Sequence, residues 1–178
     1  MRRARSNRPP REPSSPSPAV ARERALGSAL RMLARQPRSR AELDAALRRR
    51  GYGEDVVAAT LAHLEERGYL DDALVADAVA RGAERKHFGS RRVALTLRRR
   101  GVAREIVEQA ARASGETDLE RARALLARRF PQGVGGSPRE RQRAARLLLA
   151  RGFPGDVVRE ALGIDVDVGD AGEDPDEA

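Results

Sequence analysis

The chemistry this sequence can offer is arginine chemistry, and the arginines come in runs. Arg48, Arg49 and Arg50 lie in the stretch LRRRGYGEDVV (residues 47–57), and Arg98, Arg99 and Arg100 lie in LRRRGVAREIV (residues 97–107). A looser third version, LLARGFPGDVV (residues 148–158), keeps Arg151. Between the first two runs stand Arg85, Lys86, Arg91 and Arg92. A guanidinium is charged at all ordinary pH values, and its fork of N–H donors matches the oxygens of phosphate and carboxylate. One cation at a helix C-terminus is explained by the macrodipole, worth about 0.3–1 kcal/mol. Three in a row, twice, exceed that need. These eleven residues are therefore the candidate contacts for a polyanion or an acidic protein surface. Lys86 is the only lysine in an Ala/Arg/Gly-rich chain. Arginine is thus raised throughout by composition, and its placement says more than its number.

Other chemistries find no constellation. Asp71 and Asp72, near Glu65 and Glu66, read as helix-start acids and partners for arginines rather than as a metal or acid–base cluster. His63 and His87 have no partners at metal-ligand spacing. The GVGG at residues 133–136 lacks the lysine and preceding strand of a phosphate-binding loop and reads as a hinge. Cysteine is absent, which removes disulfides, thiol nucleophiles and thiolate metal sites. No serine has histidine and acid partners in a catalytic arrangement. A non-enzymatic protein without metal or cofactor is expected.

Charge is unevenly spread. Residues 1–18 carry net +4 and residues 165–178 net −7, which leaves +11 for the stretch between out of a total of +8. A folded region this basic calls for an anionic partner. With no long apolar run and no signal-peptide core, a cytoplasmic protein is expected.

The elements that must hold these arginines are helices. Alanine, leucine and arginine dominate, and Gly or Pro punctuates the chain every dozen or so residues. Nine helices are predicted, near 20–35, 40–50, 54–67, 72–86, 90–100, 104–113, 118–129, 138–151 and 155–162. Ser39 to Glu42 spells a capping box, with further boxes predicted at Thr117 to Glu120 and Ser137 to Glu140. Asp71 is predicted to cap the fourth helix, with a Leu70–Val75 hydrophobic staple.

Nine helices divide into three triplets. The fold class expected is all-α, a tandem repeat of three three-helix units, elongated and curved. The units span residues 20–68, 69–115 and 116–163, between disordered tails at 1–19 and 164–178. In each unit the second helix presents one apolar face (Leu43, Ala46, Leu47; Val93, Ala94, Leu97; Ala144, Leu147, Leu148) and ends before Gly51, Gly101 or Gly152. Glycine suits a left-handed helix terminator, which a Cβ resists by about 1 kcal/mol. With the apolar face inward, the arginines lie on the other face and form a positive ridge across stacked units.

From Gly68 the chain reads GYLDDALVADAVARGAERKHFGSRRVALTLRRRGVAREIV. The GYLDD box, the basic turn Arg85-Lys86-His87-Phe88-Gly89, the pair Arg92-Val93 and the pattern from Leu97 to Val102 closely resemble the RecX family, bacterial regulators of the RecA recombinase. The resemblance covers the triplicate region from about residue 20 to 163. It implies a monomer that binds in the groove of the RecA–single-stranded DNA filament and restrains extension, ATP hydrolysis, strand exchange and coprotease activity, with some contact to DNA. Relatives often carry aromatics at the positions of Val75 and Val79 and an arginine at that of Ala83; either Arg81 substitutes for that arginine or the local charge pattern differs here. The alternative reading is a sequence-independent nucleic-acid-binding module that uses phosphate contacts. With aromatics at 3 percent, base stacking is a poor fit. Opposite charge suggests that the seven-acid tail competes for the basic face.

Overall fold

The computed structural model describes residues 17–135 and 137–163; the readings made for the basic head and the acidic tail fall outside them. Among the described residues are nine α-helices and no strand: α1 Pro18–Leu33, α2 Arg40–Arg49, α3 Glu54–Glu66, α4 Asp72–Arg85, α5 Ser90–Arg99, α6 Arg104–Gly115, α7 Asp118–Arg129, α8 Pro138–Ala150 and α9 Gly155–Leu162. The expected fold class, three three-helix units in tandem, is the observed one. No described helix is long and apolar enough to cross a membrane.

Local side-chain caps set four of the nine described helix starts, those of α1, α2, α4 and α8. The Ser39 hydroxyl accepts from the Glu42 amide at 3.1 Å, and the Glu42 carboxylate accepts from the Ser39 amide at 2.9 Å, which completes the capping box. Asp71 caps α4 by accepting from Ala73 N at 2.7 Å. Ser137 accepts from Glu140 N at 3.2 Å, which is half of the predicted box; among the described residues the Glu140 carboxylate makes no return bond to the Ser137 amide. The predicted box at Thr117 does not form. The helix α6 ends only at Gly115, so Thr117 is turned back with φ −108° and ψ 8°, and its hydroxyl donates to the Ser114 carbonyl instead. The predicted Leu70–Val75 staple is also absent, because Leu70 packs into the core of the first unit while Val75 belongs to that of the second.

Each unit has its own small core. Ala25, Ala29, Leu43, Leu47, Val57, Leu61 and Leu64 fill the first, Val75, Val93, Leu97 and Val107 the second, and Ala122, Ala144, Leu148, Phe153 and Val158 the third. Alanines on α1 let the helices approach closely. Leu147, expected to face the core of the third unit, is only half-buried, and Ala145 is buried in its place.

The repeated phrase is a helix terminator. Gly51, Gly101 and Gly152 have φ of +83°, +70° and +80°. Their amides bond back to Arg48, Arg98 and Leu149 at 2.9 Å, and those of Tyr52, Val102 and Phe153 bond to Leu47, Leu97 and Leu148 at 3.2–3.4 Å. This paired pattern, with an apolar residue after the glycine, is the Schellman motif. The phrase recurs because every unit must stop its second helix and turn the chain into its third.

Candidate polyanion interface

The second arginine run and Arg151 end at the joints between units, whereas the run Arg48 to Arg50 ends where no described unit docks. In each joint the C-terminal end of one second helix abuts the N-terminal end of the preceding unit's second helix, so α8, α5 and α2 follow one another head to tail. The negative pole of one macrodipole thereby meets the positive pole of the next.

At the first joint, between units one and two, the Arg100 carbonyl accepts from the Ser39 hydroxyl. The Arg100 guanidinium forks onto Glu42 at 2.9 and 2.7 Å and donates to the Pro37 carbonyl at 2.8 Å. Burial pushes the Glu42 carboxyl up, but the hydrogen bonds from Arg100 and the Ser39 amide, with the charges of Arg100 and Arg38, together hold it below its ordinary value. Asp72, the first residue of α4, accepts from the Arg40 amide at 2.8 Å and so caps α2 from the next unit. Arg40 in turn pairs with Glu65 at 2.8 Å.

The second joint, between units two and three, repeats the geometry with other groups. Gly89 N donates to the Arg151 carbonyl at 3.0 Å and Arg91 N to that of Gly152 at 3.1 Å. The place of Glu42, third in its helix, is taken by Arg92. Instead of an ion pair, Arg92 and Arg151 both stack on the Phe88 ring, 5.3 and 5.5 Å from its centroid. Asp118, the first residue of α7, is fully buried and accepts from Ser90 N at 3.0 Å, Ser90 Oγ at 2.6 Å and Arg121, which also holds the Ser114 carbonyl at 2.6 Å.

The eleven predicted contact residues therefore divide. Arg100 and Arg151 are half-buried in the joints, and Arg92 lies exposed over Phe88. Arg48 is exposed but paired with Asp44 at 2.7 Å and Glu54 at 3.2 Å, and these two carboxylates, Asp44 foremost, raise its pKa. Arg50 donates to the Met32 sulfur and more weakly to the Ala46 carbonyl. Arg49, Arg85, Lys86, Arg91, Arg98 and Arg99 are exposed, and among the described residues none of them forms an ion pair. Arg91, Arg98 and Arg99 share the outer side of α5 with Leu95, which is 40% exposed. That face, cations around one leucine, suits an acidic surface with an apolar centre.

Beside it, a cleft of about 660 Å³ opens at the second joint, lined by Arg85, Lys86, Arg128, Arg129 and Arg151 with Phe88, His87 and two leucines, and by no acid. His87 has φ +50°, an uncommon value for a side chain larger than glycine. Its Nε2 lies 2.8 Å from Arg128. A guanidinium can only donate, so Nε2 is the acceptor in this contact. Arg128 and Arg129 are missing from the sequence-derived set. Their sign was the basic last turn of α7, which the macrodipole already explained. Asp118 was missed too, although an acid opens both α4 and α7 and is lacking in the first turn of α1, before which no unit is described. Among the described residues no group of three His, Asp or Glu side chains could hold a metal ion.

Comparison with known proteins gives this architecture relatives. Family models of the first, second and third three-helix domains of RecX match residues 25–64, 71–110 and 116–162. The chain is 38% identical over 142 residues to the regulatory protein RecX of Halorhodospira halophila, a match covering 80% of this chain and 88% of that one. It is 41% identical over 137 residues to the regulatory protein RecX of Leptothrix cholodnii, covering 76% and 85%. The crystal structure of RecX from Lactobacillus salivarius superposes with a TM-score of 0.73 at 22% identity, covering 82% of this chain and 96% of that one.

Proposed function

The chain belongs to the RecX family of regulatory proteins, and from that premise we propose that it binds the RecA–single-stranded DNA filament and restrains its extension, ATP hydrolysis, strand exchange and coprotease activity. It acts without chemistry of its own, as a cytoplasmic monomer occupying the filament groove. The observation that carries this reading is the outer face of α5, where Arg91, Arg98 and Arg99 surround an exposed Leu95 with no carboxylate paired to them among the described residues. A face that mixes cations with an apolar centre fits a protein surface better than bare phosphates. Three units held in series by the joints let several weak contacts add on a repeating partner.

The test is RecA-dependent ATP hydrolysis on single-stranded DNA, titrated with this protein and with an Arg98→Ala/Arg99→Ala/Leu95→Ser variant. The wild type is expected to inhibit below one protein per RecA if it blocks ends, and near equal amounts if it coats the groove. The triple variant is expected to need at least tenfold more protein. Inhibition by the variant at wild-type concentrations would remove α5 from the interface.

A second reading, direct nucleic-acid binding through phosphates, is favoured by one observation: the acid-free cleft of the second joint. It predicts that naked single-stranded DNA competes as well as RecA-coated DNA at matched salt. Binding would weaken steeply with ionic strength, and each arginine removed would lower the slope by about 0.7.

A further inference from the structure

The first unit has a recess of its own that neither reading uses. Arg31 of α1, Arg35 and Arg38 of the turn after it, Arg49 at the end of α2 and Arg50 just beyond line a cavity of about 370 Å³ together with Ser28, Met32 and Ala46. No acid lines it. Among the described residues none of the five arginines forms an ion pair. The acid whose carboxyl feels the Arg38 charge, Glu42, already accepts from Arg100 and from the Ser39 amide. The Arg38 Nε is buried and has no acceptor.

The third unit shows how the corresponding recess meets a neighbouring unit inside the chain. Ala46 and Arg50 stand four and zero residues before the end of their helix phrase, as Leu147 and Arg151 do in α8. The α7–α8 recess is bordered by the corner of unit two, where Arg151 finds the Lys86 carbonyl and the Phe88 ring, although a cleft remains open there. No described unit precedes unit one, and a Cβ at Gly51 would meet nothing within 4 Å, whereas Cβ atoms at Gly101 and Gly152 would strike the neighbouring unit. Among the described residues no other unit borders the recess of unit one.

We propose that this recess is a binding site for a compact, multiply charged phosphate group, a pyrophosphate or triphosphate moiety. Five guanidinium groups held together repel one another, and a single carboxylate would neutralise only one of them. Planar fork donors match phosphate oxygens, and a cavity of this size admits a short phosphate chain but not a folded partner segment. A buried donor without an acceptor is costly, and a phosphate oxygen supplies one. The cleft of the second joint is the weaker candidate for such a group, because two of its cations are already tied, Arg151 to Lys86 and Phe88, and Arg128 to His87.

The experiment is isothermal titration calorimetry of the full chain with inorganic triphosphate at fixed ionic strength. Replacing the exposed pair, Arg35→Gln with Arg49→Gln, is expected to weaken binding at least tenfold while leaving thermal unfolding unchanged, and Arg38→Gln alone is expected to do so severalfold. Arg85→Gln with Arg129→Gln serves as the control and is expected to change affinity less than twofold. Competition by a single-stranded oligonucleotide bearing a 5′-phosphate, but not by its 5′-hydroxyl counterpart, would support the site and make a nucleic-acid end its source. Competition by neither would support the site with a free polyphosphate as its source. Wild-type affinity in the Arg35/Arg49 variant, or equal displacement by sulfate, overturns the proposal.

Discussion

The two joints hold the same pair of helix ends together by different means. In the first, Arg100 forks onto Glu42 and a half-buried Asp72 caps the neighbouring helix. In the second, the glutamate position is an arginine, two cations share the Phe88 ring, and the capping acid is the buried Asp118. One joint is nearly neutral and wet at its edge. The other closes around a dry carboxylate and leaves surplus positive charge at its mouth, which becomes the basic cleft. A repeat can thus conserve its docking geometry while varying charge, because the geometry rests on backbone carbonyls and glycines and the charge on side chains beside them.

The largest expected difference lies in the capping acids. Asp118→Ala strands Arg121 in a buried site and leaves the Ser90 groups without an acceptor. A loss of about 3–5 kcal/mol is expected. Asp72→Ala removes a solvent-accessible cap and should cost about 1 kcal/mol. Urea unfolding of the two variants measures this, and equal losses would erase the distinction between the joints.

The glycines give the next effect. Gly152→Ala adds a Cβ 2.7 Å from the Arg92 amide nitrogen, which is backbone and cannot step aside, on top of a φ of +80°. About 2–4 kcal/mol is expected from strain and overpacking combined. Gly101→Ala meets only the Ala41 methyl, at 2.6 Å, and should cost less, while Gly51→Ala meets nothing and should show the backbone term of about 1 kcal/mol alone. A thermal series that does not fall in the order 152, 101, 51 would contradict the docking described.

Smaller still is Phe88→Leu, which keeps an apolar plug but removes the ring shared by Arg92 and Arg151. About 1 kcal/mol is expected, since each exposed cation–π contact is worth about 0.5–1 kcal/mol and the two cations repel.

The smallest effect is a pH dependence in the first joint. The Glu42 carboxyl is held below its ordinary value when folded, so its contribution is present above the unfolded carboxyl pKa and is lost as pH falls through the depressed folded value. Glu42 is partly exposed, which limits the contribution to under about 1 kcal/mol. Wild type minus Glu42→Gln, compared by urea midpoint between neutral pH and the acid side of the carboxylate range, should shrink toward zero as the acid is added. A difference that stays constant would show that Arg100 gains nothing from the carboxylate.

The sequence determined the helices, their count and their grouping, because these follow from local terms: apolar spacing, hydroxyl caps and glycines at left-handed stops. Even the glycine following each arginine run was legible, since φ near +80° is a property of one residue. The failures were also local in kind. Thr117 has the composition of a cap, but a helix that ran on to Gly115 left it no extended backbone, and Leu70 has the composition of a staple, but the nearer core claimed it.

What only the tertiary structure decided is the fate of each charge. Nothing in LRRRG distinguishes Arg50, lining an open recess, from Arg100, bound to Glu42 fifty-eight residues away. Nor does spacing separate the capping Asp72 from the buried Asp118. A guanidinium is exposed, paired or stacked according to which unit docks against it. Docking depends on surfaces far apart in the chain, whereas helix formation depends on neighbours within one turn.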